Sequence, residues 1–120
     1  MTHRSKLGRF GEKVAGGYLR RHGYKVLQTN YRTRAGEIDI VAQKGEYLVF
    51  VEVRTKRDTD FGTPEESIRQ SKKEKLAALA ELYIQSHESY SSMPWRIDVV
   101  AVEVRQDGKV SRVELIENAV

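Results

Sequence analysis

Apolar residues recur along the chain with two different periods, and the changes of period divide it into segments. Leu7, Phe10, Val14 and Tyr18 fall at helical spacing, with Gly11 and Ala15 on the same face, which predicts an amphipathic helix over residues 5–22. Arg20, Arg21 and His22 occupy its last turn and Gly23 follows, a chemistry that suits a helix C-terminus. Residues 24–31 then read as a first strand and 37–41 as a second, joined by a turn at Lys44–Gly45 to a third over 47–54. After a polar loop, Thr63, Pro64, Glu65 and Glu66 form a helix start: a capping hydroxyl, proline at the first helical position and an acid at the third. That helix is expected to run to about Gln85. Residues 95–104 make an apolar-rich strand, and the Asp107–Gly108 turn leads to a last strand over 109–116.

The order is therefore αβββαββ. The helix between the third and fourth strands is long enough for a crossover that leaves those two strands parallel. The expectation is an α/β fold, a mixed sheet flanked by helices, in one domain spanning residues 1–120. No repeat or internal linker divides it. The chain has no cysteine, which excludes disulfides and thiolate metal sites. Its first residues lack the apolar stretch of a signal peptide, and no apolar run is long enough to span a bilayer. The expectation is a soluble, cytoplasmic protein.

Charge changes this picture, because it is unevenly placed. Residues 1–34 carry nine Lys/Arg against the single acid Glu12, whereas the rest of the chain has twelve Lys/Arg and sixteen Asp/Glu. A basic first third beside an acid-rich remainder suits a polyanion that meets both a cationic surface and a carboxylate site. The competing reading is a solvated basic helix that serves only solubility.

The carboxylates narrow the chemistry. Side chains alternate along a strand, so Glu37, Asp39 and Val41 share one face. A turn centred on Lys44–Gly45 pairs Glu37 with Glu52, Asp39 with Phe50 and Val41 with Leu48. Glu37, Asp39, Glu52 and Arg54 then gather at one end of one face. Carboxylates so placed repel one another and lose hydration when covered. A divalent cation would relieve both costs, since Mg²⁺ takes one or two carboxylates and completes its shell with water and substrate phosphate. The alternative is an ion pair between Arg54 and Glu37 or Glu52 on a solvated edge.

Gly36-Glu37-Ile38-Asp39 followed by Val51-Glu52-Val53-Arg54 resembles the D…ExK signature of PD-(D/E)XK, or restriction-endonuclease-like, nucleases. The wider pattern of Gly8, Gly11-Glu12, Ala15, Asn30-Tyr31-Arg32, Phe61-Gly62 and Arg96-Ile97-Asp98-Val99 resembles the YraN family of bacterial proteins, which is similar to archaeal Holliday-junction resolvases. The resemblance implies Mg²⁺ or Mn²⁺ held by Asp39, Glu52 and the backbone carbonyl of Val53. Glu12 would match the additional acid of resolvase-like members. Arg54 stands where the catalytic lysine usually stands; it can stabilise charge on phosphorus but stays protonated, so it cannot act as a neutral base.

A substitute lysine is at hand. Ile68, Leu76, Leu79 and Tyr83 mark the apolar stripe of the second helix, and Lys72 falls in the middle of it. Such a lysine either snorkels past the core or points into the site under the sheet. Lys73 and Lys75 are expected to point elsewhere, into solvent. Arg9, Tyr31, Arg32, Arg34, Lys56 and Arg57 are the candidates for nucleic-acid contact, Tyr31 as a stacking platform. Tyr18 and Trp95 read as core, Asp98 beside Arg96 as a structural ion pair, and Gly8, Gly11, Gly16 and Gly17 as aids to close helix packing. Two functions remain open. One is an Mg²⁺-dependent endonuclease on DNA, branched or junction DNA included, for which symmetric cutting would call for a homodimer. The other is a catalytically weak or inactive nucleic-acid-binding protein that assists a partner.

Overall fold

A computed structural model of the chain describes residues 5–59, 62–63 and 69–119. Ser5 caps the first helix, α1 (Lys6–Arg21), by accepting the Gly8 amide at 2.9 Å. Three strands follow, β1 (Lys25–Thr33), β2 (Gly36–Lys44) and β3 (Tyr47–Arg57). Helix α2 (Gln70–Ser86) then crosses over, a short 3₁₀ turn (Glu88–Tyr90) intervenes, and β4 (Trp95–Val104) and β5 (Val110–Ile116) complete the sheet. The expected order αβββαββ is the observed one. Of the helix start read at 63–66, Pro64, Glu65 and Glu66 lie outside the described residues, as do Phe61 and Ile68. The described helix begins at Gln70.

The strands lie in the order β1-β2-β3-β4-β5, antiparallel except for the β3–β4 pair, which is parallel as the crossover requires. With α1 on one face and α2 on the other, the two central strands are covered on both sides. Their near-continuous apolar runs, 48–53 and 97–102, follow from that. Ala15 and Leu19 of α1 pack on Ile40, Val49, Val51, Val100 and Val102. Leu76, Leu79 and Tyr83 of α2 pack on Ile38, Val41, Phe50 and Ile97. Among the described residues no helix is long and apolar enough to cross a membrane.

The buried face of α1 is rotated from the expected one. Gly11, Ala15, Gly16 and Leu19 are buried, Phe10 is exposed, and the half-buried Tyr18 stacks on His22 with ring centroids 4.0 Å apart. Small residues set this orientation, because they let the helix axis come close to β3. A Cβ added at Gly11 would lie 1.8 Å from Thr55 Oγ1 and 2.8 Å from its methyl, whereas Gly16 and Gly17 face only arginines of their own helix. Only Gly11 of these helical glycines is required by packing on the sheet. Gly11→Ala should therefore destabilise the fold by about 1–3 kcal/mol through overpacking, despite alanine's better helix propensity. Chemical denaturation would measure it, and adding Thr55→Ala should recover part of the loss.

The β2–β3 hairpin also differs from expectation. Lys44 pairs with Tyr47, so the turn residues are Gly45 and Glu46, and Gly45 has the positive φ of 58° that the first position of a type II′ turn needs. Val41 consequently faces Phe50, not Leu48, and Ile40 faces Val51. A slip of two residues keeps every side chain on its face. It brings Asp39, rather than Glu37, level with Glu52.

On the α1 face of the sheet, where Asp98 pairs with Val51, a polar network ties the chain together. The fully buried Asp98 accepts Tyr24 Oη at 2.9 Å, Arg96 Nε at 3.1 Å and the Asn118 amide at 2.9 Å. Burial, and then the Asp98 charge, push the Tyr24 hydroxyl up to about 12. Asp98 is the structural ion-pair partner that its neighbour Arg96 suggested.

Candidate functional site

The β2–β3 ladder ends at Ile40 and Val51, and the next residues outward are Asp39 and Glu52. In place of a ladder bond, the Val53 amide donates to Asp39 Oδ2 at 2.8 Å. The N–H and C=O of one residue point to the same edge of a strand, so the Val53 carbonyl is directed toward Asp39 too. On the other side, Thr29 pairs with Ile40 and Tyr31 with Ile38, but Asn30 and Asp39, which lie between, are not paired. Asn30 has a left-handed φ of 56°, a conformation that asparagine tolerates better than most residues. Alternation fails at the same place: Ile38 and Val41 both face α2, while Ile40 and Ala42 face α1. Asp39 thus sits where the sheet opens on both of its edges.

Glu52 is only 4% exposed. Burial, then the neighbouring Asp39 charge, push its carboxyl up to about 7, and a hydrogen bond with Asp39 adds to the effect. Two cations work against them. Lys72 Nζ lies 3.7 Å and Arg54 Nε 3.2 Å from Glu52 Oε2. Lys72 therefore reaches into the site from α2 and does not snorkel away. Arg54 Nε is close to the carboxylate but not aligned with it, and is buried without a hydrogen-bond partner among the described residues.

Glu37 lines the same cleft as Asp39 and Glu52, but its Oε2 accepts from Arg32 Nε at 2.7 Å, a cross-strand pair with β1. The carboxylate pairs expected of Arg54 therefore divide: Glu52 takes Arg54, in a buried setting and not on a solvated edge, and Glu37 takes Arg32. Glu12 projects from α1 into a second cleft that also reaches Asp39. Among the described residues, no three His, Cys, Asp or Glu side chains converge as a metal-binding group. An ion here would rest on Asp39, Glu52 and the Val53 carbonyl, a donor set within the habit of Mg²⁺, which keeps several waters.

Residues 11–102 match the Uncharacterised protein family UPF0102. The chain belongs to that family. A UPF0102 protein of Dehalococcoides mccartyi is 52% identical over 117 residues, 98% of this chain and 94% of the relative. One from Roseiflexus castenholzii is 47% identical over the same shares, and one from Caldicellulosiruptor bescii 40% identical over 95% and 96%. The part matched to UPF0102 contains Glu12, Asp39, Glu52, Arg54 and Lys72.

The residues picked for nucleic-acid contact separate in space. Arg9 and Arg32 line the α1–β1 cleft of this UPF0102 chain. Arg34 is exposed in the β1–β2 turn, and Lys56 and Arg57 lie at the far end of β3, so these three line neither cleft. Tyr31 faces α2, edge-on to Tyr83 with centroids 5.0 Å apart, and is half-buried there. It belongs to packing, away from the arginines that flank it in sequence. Lys75 corrects the sequence reading: one turn after Lys72, it lines the carboxylate cleft above Gly36. Its i, i+3 spacing from Lys72 was the available signal. Lys13 and Arg20 line the α1–β1 cleft and were picked only as members of the basic first third.

Proposed function

We propose that this UPF0102 protein is a divalent-metal-dependent phosphodiesterase acting on nucleic acid, with DNA as the first substrate to test. The observation that carries the reading is the Asp39–Glu52 pair. Two carboxylates in contact, one of them buried, sit where the ladder ends and Val53 presents its carbonyl. A strand pair has no structural use for that arrangement, and it costs stability unless a cation shares it. Mg²⁺, when bound, would supply a Lewis acid at the phosphoryl oxygen. Asp39 and Glu52 would hold the ion, and Asp39 is kept in place by the Val53 amide. Arg54 and Lys72 bring positive charge to within reach of an arriving phosphate. Cleavage of linear, flapped and four-way DNAs across a Mn²⁺ titration tests the reading, and no metal-dependent product from any of them would overturn it.

A second reading has its own support. Arg54 and Lys72 already balance Glu52 without a metal, which suits a nucleic-acid-binding protein that keeps the site but cuts little. Both readings require polyanion binding. Affinity for DNA should fall steeply with salt, and Arg32→Ala/Arg34→Ala should weaken it and reduce the salt slope by about one to two. Part of the loss will come from Glu37, which Arg32→Ala deprives of this ion pair. Fluorescence anisotropy across a salt series would read this, and an affinity indifferent to salt and to both substitutions would remove nucleic acid from the account.

A further inference from the structure

Two clefts of about 400 Å³ each meet at Asp39. One lies between α1 and β1, the other between the first turns of α1 and α2, where Lys72 and Lys75 face Glu52 and Glu37. A space of that volume takes a unit the size of a small ligand, such as one nucleotide of a strand. The α1–β1 cleft is cationic: Arg9, Lys13, Arg20 and Arg32 line it against Glu12 and Asp39. It opens beside the sheet's edge strand β1. Asn30, in its left-handed conformation, lines it directly across from Asp39. A backbone of this kind persists where the surroundings enforce it. Here it coincides with a gap in the β1–β2 ladder that joins the two clefts at Asp39, the proposed metal-binding carboxylate.

The geometry points to a path for a single polynucleotide strand, running from the α1–β1 cleft across Asp39 to the lysines of α2. This rests on the phosphodiesterase reading and specifies its substrate as an unpaired strand or a single-stranded arm, not an uninterrupted duplex. Among the described residues no aromatic side chain lines either cleft, and the lysines and arginines that do are suited to holding the strand through its phosphates. Binding along the path is therefore indifferent to sequence and sensitive to salt.

The test compares a short labelled oligothymidylate with a duplex of the same length, by anisotropy in Ca²⁺, for wild type and for Lys13→Gln/Arg20→Gln. Both substituted residues are exposed on α1, and equal melting temperatures verify the fold. The strand should bind at least ten-fold tighter than the duplex. The double variant should weaken strand binding about ten-fold and lower its salt slope by about 1.4, two lost contacts at roughly 0.7 each. A duplex bound as tightly as the strand, or a variant that binds the strand as wild type does, overturns the path. Cleavage with Mn²⁺ separates the two ideas. A double variant that still cuts duplex and strand at wild-type rates leaves the phosphodiesterase standing and removes the path. A strand bound along the path by wild type but never cut keeps the path and overturns the phosphodiesterase.

Discussion

Asp39→Asn and Glu52→Gln should each abolish Mn²⁺ binding in a calorimetric titration and lower metal-dependent cleavage by about 10³-fold or more. The magnitude follows from losing a Lewis acid worth several kcal/mol of transition-state stabilisation. The two substitutions do not act alike on the fold. Asp39 also accepts the Val53 amide, and an asparagine oxygen can keep that bond. Glu52 is the buried member, and burial, then the Asp39 charge, push its carboxyl from the usual 4.5 up to about 7 in the folded chain.

The sign of the linked stability follows from that shift. Between pH 4.5 and 7 the folded state holds a proton on Glu52 that the unfolded state has released. This contribution is therefore complete below about pH 4.5, declines as pH rises through about 7, and is absent above it. At pH 8 the ionised Glu52 costs the metal-free fold on the order of 3 kcal/mol. Glu52→Gln removes that cost, so in EDTA it should melt above wild type at pH 8, with the advantage shrinking toward pH 5. Added Mn²⁺ should stabilise wild type and leave the variant unchanged. A variant less stable than wild type at pH 8 would mean that Arg54 and Lys72 outweigh burial, and that Glu52 is there for its ion pairs.

The same region separates what could be read in the sequence from what could not. The element order was legible because each segment has its own period and is bounded by turn residues, as at Arg20–Gly23 and Asp107–Gly108. Asp39 and Glu52 were legible as a pair because a hairpin brings its two strands together whichever turn closes it. The register was not, since Lys44–Gly45 and Gly45–Glu46 are both acceptable turns, and only the strand pairing selects the second. The left-handed Asn30 was invisible too: nothing in its neighbours Thr29 and Tyr31 differs from an ordinary strand. That one residue decides where the sheet opens. The burial of α1 was misjudged because large apolar residues suggest a core face, whereas Gly11 and Ala15 set how closely the helix approaches Thr55.

The cations around Glu52 should distinguish an enzyme from a binding protein. Arg54 lies on the same strand face as Glu52, its Nε buried and without a hydrogen-bond partner among the described residues, so an arriving phosphate would give it one. Arg54→Ala should lower single-turnover cleavage at saturating metal by about 10²–10³-fold, the loss of one well-placed electrostatic donor. Arg54→Lys should keep or raise the rate, because a lysine amine has three rotatable donors and can also lose its proton. Lys72→Met should cost a similar amount while leaving the fold intact, since methionine keeps the apolar stem against α2's neighbours. The pH profile gives a second readout. Each positive charge lowers the Glu52 carboxyl, so Arg54→Ala and Lys72→Met should both move the acidic limb of the profile to higher pH. A Lys72→Met variant with full activity and an unmoved profile would confine Lys72 to α2's surface chemistry. Activity created by Arg54→Lys, where wild type has none, would make the natural protein a nucleic-acid binder whose site lacks only the lysine.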